Sequence, residues 1–290
     1  MKHDKKIVLE IFLWIFIALL GAFVLYEPFM MTMGEELMVP TGMQQWQFGL
    51  LLIVLVAGGG IMWSFLLKKF KMRFVGWTFA FMLSLMIMEL PSKFATQGVI
   101  PWSYQWFAIS FITMLAFLFL FYGISVIQKL LVQGKHSPTY FWSNLVFVIA
   151  IIIMGLSVAK TLGPLIAFCF LVGASIYDAW AVWKSKTMEG LVVGLASHGV
   201  YPAIIVPKPK EKVGFALLGG GDVFFLIAVS FAFFATSWIT TILTALGMIG
   251  ALAFIFAISE KGKFYPALPF MLAGCIVGLC ITAVIGVPIW

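Results

Sequence analysis

The chain has 290 residues, of which 63% are Ala, Val, Ile, Leu, Met, Phe, Trp, Tyr or Cys and only 10% are Asp, Glu, Lys or Arg. A soluble domain is about one-quarter charged, so a soluble fold is excluded, and 30 Phe with 11 Trp exceed what one globular core buries, leaving apolar surface for the lipid bilayer. The net charge of +7 sits on lysines in short clusters between apolar runs, a pattern that encodes membrane topology and not a face that tracks nucleic acid phosphates.

A spanning helix needs about 20 mostly apolar residues. Breaks at charged residues, Pro and Gly divide the chain into spans at 7–26, 48–67, 74–90, 104–127, 142–159, 162–183, 214–236, 238–258 and 266–287. The expected fold is therefore an all-α polytopic membrane protein of about nine transmembrane helices. It forms one integral unit, with helices 1–4 in residues 1–140 and helices 5–9 in 141–290. The run from Gly214 to Ser259 is too long for one span, and its weak polar break is Thr236-Ser237. Sixteen of the 18 basic residues then fall on one side of the membrane, with only Lys93 and Lys160 on the other. That asymmetry puts the N-terminus in the cytoplasm and the C-terminus outside. The first apolar segment is too long for a signal peptide, carries Glu10 and lacks an A-x-A exit.

Cys169, Cys275 and Cys280 are odd in number, lie in apolar stretches and form no C-x-x-C, so a disulfide framework or a zinc site is not expected. Acidic residues are more informative, because charge inside lipid is costly and usually functional. Most lie in tails, loops or near helix ends, which leaves Asp178 late in the sixth span and Asp222 early in the seventh. These helices run in opposite directions, and the two residues lie roughly 9 and 15 Å from their flanking cytoplasmic lysines at 1.5 Å per residue. Two carboxyls at similar depth on sequential helices can meet, and no Lys or Arg inside a span is available to neutralise them. Forced together in a low dielectric they share a proton, one acting as base and the other as acid. Other hydrolytic equipment is missing: His3, His136 and His198 lie in tails or loops, and there is no H-E-x-x-H. A cation or proton-coupled transporter or leak channel would use the same two carboxyls as an ion relay.

At these residues the sequence resembles the presenilin and signal peptide peptidase family of intramembrane aspartyl proteases. The sixth span carries Tyr177-Asp178, the seventh opens with Gly219-Gly220-Gly221-Asp222, which matches the family's G-x-G-D, and the last begins with Pro266-Ala267-Leu268, which matches its P-A-L. A prepilin-type peptidase also uses G-x-G-D but does not predict P-A-L on a ninth span. A single short chain suggests an archaeal-type presenilin homologue in a microbial cell membrane, and Gly220 departs from the Leu common at that place in presenilins. The resemblance implies an intramembrane aspartyl endopeptidase that cuts single-span membrane protein substrates, with Asp178 and Asp222 catalytic, Pro266 to Leu268 shaping the active site, and neither cofactor nor metal. Read from the residues, the three glycines remove side chains where the helix approaches a neighbour and admits substrate backbone. Pro266 and Pro269 resist a regular helix unless they sit in its first turn. In the connection at 184–213, Tyr201 to Val206 is a short β-prone stretch, and either it or the chain at 213–216 is expected to pair edge-on with unwound substrate.

Overall fold

A computed structural model describes residues 5–32, 44–69, 139–185, 203–207, 215–260 and 264–289. The expected spans at 74–90 and 104–127 lie outside these residues. Among the described residues the chain is mostly helical, and four helical segments are long and apolar enough to cross a membrane by length and composition: Lys6–Glu27, Phe147–Lys184, Trp238–Ile258 and Ala267–Val284.

Helix α1 (Lys5–Thr32) shows why the molecule belongs in lipid. Ile7, Ile11, Trp14, Ile15, Ala18, Ala22 and Tyr26 are buried at helical spacing, while Leu9, Leu13, Phe16 and Leu20 point outward and are more than half exposed. Both faces are apolar, so no polar side exists to meet water. Helix α2 (Gln45–Lys69) packs on the next helix through small residues, since a Cβ on Gly173 would lie 3.0 Å from the Ile53 backbone.

Helix α3 (Thr139–Ala179) joins two of the expected spans, and its interior breaks at Gly163, whose φ of 66° and ψ of 175° no helix holds. Glycine tolerates that positive φ without a Cβ clash, and Pro164 starts the next arm, where its missing N–H costs nothing. The contacts prove a reversal. Gly155 faces Ile227, while Phe170 meets Phe225 at 4.9 Å between ring centroids. Fifteen residues of straight helix span about 22 Å, yet their partners are two positions apart, so arms 139–162 and 164–179 run antiparallel. A single π-helical turn, Trp180–Lys184, widens the end of the second arm immediately beyond Asp178.

The chain departs from an all-helical fold next. Strands β1 (Ala203–Pro207) and β2 (Phe215–Gly219) form an antiparallel pair, with Ala203 opposite Gly219 and Ile205 opposite Leu217. The expected helix at 214–236 is accordingly shorter. Helix α4 covers only Gly220–Ala232, because Phe215 to Gly219 pairs as a strand with Ala203 to Pro207. A turn over 233–236 follows, and Ser237 caps α5 (Trp238–Ile258), its hydroxyl accepting from the Thr240 N–H at 3.4 Å. The polar break at Thr236-Ser237 therefore divides two helices, as its composition suggests. Helix α6 (Ala267–Val284) packs against α5 with backbones nearly touching, Gly247 against Gly274, and Gly278 against Leu243 and Thr244. Glycines at such crossings let apolar helices gain dispersion contact that larger residues would prevent.

Candidate active site

Asp178 lies in the last turn of α3 and is only 7% exposed. A carboxyl so placed needs partners, and it finds them on another helix. Its Oδ2 accepts from the Leu268 N–H at 3.1 Å, and the Ala267 N–H also donates to it. These are orphan donors of the first turn of α6, which every helix must satisfy from outside itself. Pro266, the N-cap residue, is extended at φ −70° and ψ 117° and offers no side-chain acceptor. Asp178 supplies the cap instead. Pro269 falls in the same first turn, so the two prolines flank a regular helix start and not an irregular one.

Asp222 is the third residue of α4 and half-buried. Its carboxyl turns back toward the start of its own helix, where a Cβ on Gly219 would lie 3.1 Å from Oδ2. The three glycines thus differ in what surrounds them. Gly219 adjoins the carboxylate, Gly220 is buried, and a Cβ on Gly221 would meet none of the described residues within 4 Å. Among the described residues, neither Gly219 nor Gly221 makes a close crossing with a neighbouring helix. That crossing occurs at Gly155, where a Cβ would lie 2.7 Å from Ile227 Cγ2, so Gly155-Leu156-Ser157 is a packing element.

Packing of the α3 arms on α4 brings Asp178 and Asp222 within electrostatic reach of each other. The sequence-predicted residues therefore converge: Asp178 touches Ala267 and Leu268, and Asp222 stands beside Gly219. Tyr177 is half-buried, its ring 6.4 Å from that of Trp180. Two neighbouring acids can exchange a proton with each other and with a water, the elementary requirement of acid–base hydrolysis. Among the described residues no group of three or more His, Cys, Asp and Glu is placed to hold a metal, and Cys169, Cys275 and Cys280 are free thiols.

One residue that the sequence analysis passed over belongs to this end of the molecule. Asn144, the chain's only asparagine, is 2% exposed in the first arm of α3. Its side-chain amide donates to the Ile205 carbonyl at 2.8 Å and accepts from the Ile205 N–H at 3.0 Å. A lone amide inside an otherwise apolar span was the available signal. Comparison with protein-family models and with curated proteins finds no match to the chain.

Proposed function

We propose that the protein is an intramembrane aspartyl endopeptidase with Asp178 and Asp222 as its catalytic pair. In the full topology nine helices cross the membrane from a cytoplasmic N-terminus, and the pair lies in the cytoplasmic half of the bilayer. The observation that carries the reading is the convergence of three separate segments, Tyr177-Asp178, Gly219 to Asp222 and Pro266 to Leu268, around two neighbouring carboxyls.

One Asp takes a proton from a water as that oxygen attacks the scissile carbonyl carbon, while the other, protonated, donates to the carbonyl oxygen. The product is a tetrahedral diol, which collapses as the amide nitrogen takes a proton and the C–N bond breaks. A helical substrate must unwind first, because its amides are engaged in their own helix. The outer edge of strand β2 offers the exposed backbone groups new partners directly upstream of Gly219, and β-addition satisfies them where water is scarce.

The test is incubation of the purified full chain in detergent with a labelled single-span substrate, followed by sequencing of the products. Internal cleavage lost in both Asp178→Asn and Asp222→Asn supports the reading. Absence of cleavage by the wild type, or ion flux that survives when proteolysis is blocked, favours a carboxyl relay for transport.

A further inference from the structure

The hairpin beside the site has two outer edges, and its surroundings treat them differently. Strand β1 is buried at every position from Ala203 to Val206, whereas in β2 Ala216 and Leu217 are half-buried and Gly219 is exposed. In an antiparallel strand the N–H and C=O of one residue point to the same side, and that side alternates along the chain. Both groups of Ile205 are held by the Asn144 side chain, so Ile205 faces away from β2, and its partner Leu217 faces away from β1. Asn144 thus occupies the β1 edge at its midpoint, and the opposite edge of the sheet is that of Leu217.

We propose that Asn144 is a positioning residue for proteolysis. It closes the β1 edge and fixes the hairpin against α3, so that an unwound substrate strand joins only at the Leu217 edge and in one register. Three features support this. The Asn144 amide imitates a peptide group by setting a donor and an acceptor side by side, and so takes the place of a third strand at Ile205. It is buried, so its bonds are shielded from competition by water. It also stands on the arm that meets α4 at Gly155 and Ile227, so the clamp ties the hairpin to the helix that carries Asp222. Strand β2 runs directly into Gly219, and a residue-step shift of the hairpin would present a different peptide bond to the acids.

This inference rests on the proteolytic reading, and the experiment separates the two. The full-length protein in detergent is given a labelled single-span polypeptide with a Leu/Ala-rich span, and KM, kcat and the masses of the products are measured. In Asn144→Leu, which keeps the branched side-chain shape and deletes both bonds, KM is expected to rise roughly tenfold, the size of two exchanged hydrogen bonds. Cleavage is expected to spread over neighbouring peptide bonds, and the Ile205 amide to exchange hydrogen faster. Asn144→Asp, isosteric and able as a neutral acid to make both bonds, restores the single cut position. Leu156→Ala, a buried truncation in the same arm, controls for stability loss and keeps the wild-type cut position. If Asn144→Leu does not fold, Asn144→Gln moves the same amide by one methylene and is expected to displace the cut. Wild-type KM and cut position in a folded Asn144→Leu, or in Asn144→Gln where Leu does not fold, overturn the assignment while leaving the proteolytic reading intact. A wild-type protein that cleaves nothing overturns both.

Discussion

Helices α4 and α6 both begin at the candidate site, and both present first-turn N–H groups without a capping side chain at the N-cap position. Their acids are placed differently. Helix α4 carries its acid within its own first turn, with Asp222 folded back beside Gly219 three residues upstream. Helix α6 has no acid of its own and takes its cap from Asp178, 90 residues away in the chain. One motif therefore carries its acid within itself, while Pro266-Ala267-Leu268 is half of an arrangement whose other half lies on α3. A carboxylate at a helix start is favoured by the N-terminal dipole in both cases. In α6 the same carboxylate is assigned a second task, so its position depends on the fold as a whole.

The sharpest way to break the comparison is to remove the acids one at a time. Asp178→Asn and Asp222→Asn are each expected to lower proteolysis at least about a thousandfold, because an amide keeps the shape but exchanges no proton. The double replacement is expected to be no worse than either single one, since the two act as one unit. In Asp178→Asn the side-chain amide would still offer an oxygen to the Leu268 N–H, so folding measured by thermal denaturation should survive. Wild-type turnover should fall on both the acid and the alkaline side of an optimum, because the singly protonated pair is the working form. Substantial cleavage by either purified single variant would sink the mechanism.

A second experiment separates the backbone of the α6 start from its side chains. Leu268→Pro deletes the N–H that holds Asp178 and is tolerable in a first turn, whereas Leu268→Ala keeps the donor and removes only the buried side chain. Loss of one hydrogen bond to a charged group is worth about 1.5–3 kcal/mol. The proline variant is therefore expected to lose roughly ten- to a hundredfold in kcat beyond the alanine variant at matched stability. Equal kcat in the two would mean that the Leu268 N–H does not orient Asp178. Replacing Leu268 with a charged residue is a poorer probe, because the side chain is only 7% exposed and its ionisation would cost folding as well.

These contrasts show what the sequence could and could not disclose. Asp178 and Asp222 were legible because an acid inside an apolar span is conspicuous in one dimension. Helix α5 was legible too, since Ser237 is a recognisable cap before an apolar run. The hairpin was only half legible. Tyr201 to Val206 reads as β-prone, but Phe215 to Leu218 is apolar without periodicity and fits a helix as well as a strand; only its pairing with β1 decides. The doubling of α3 at Gly163 was legible as a break but not as one continuous element. The cap that Asp178 provides to α6 was not legible, because its two halves are far apart in the chain and neither half looks incomplete alone. Asn144 escaped for a related reason: its partner is backbone, which leaves no mark in a sequence.

The smallest expected effect tests whether the glycines of α4 are one feature or two. A Cβ on Gly219 would stand 3.1 Å from Asp222 Oδ2, whereas a Cβ on Gly221 would meet nothing among the described residues. Gly219→Ala must therefore displace the carboxylate by a few tenths of an ångström, and it precedes the helix, so it gains no helix propensity. Its stability should stay near wild type while kcat falls several-fold, in line with the sensitivity of acid–base catalysis to placement. Gly221→Ala lies inside the first turn of α4, where alanine is favoured over glycine by up to about 1 kcal/mol. It should raise the melting temperature slightly and leave the carboxylate in place. If the open side of Gly221 receives substrate backbone, that variant will raise KM without changing kcat, the mirror image of Gly219→Ala. The same kinetic signature in both variants would mean that the glycine run serves a single purpose, and that the difference in surroundings between its first and third members has no bearing on catalysis.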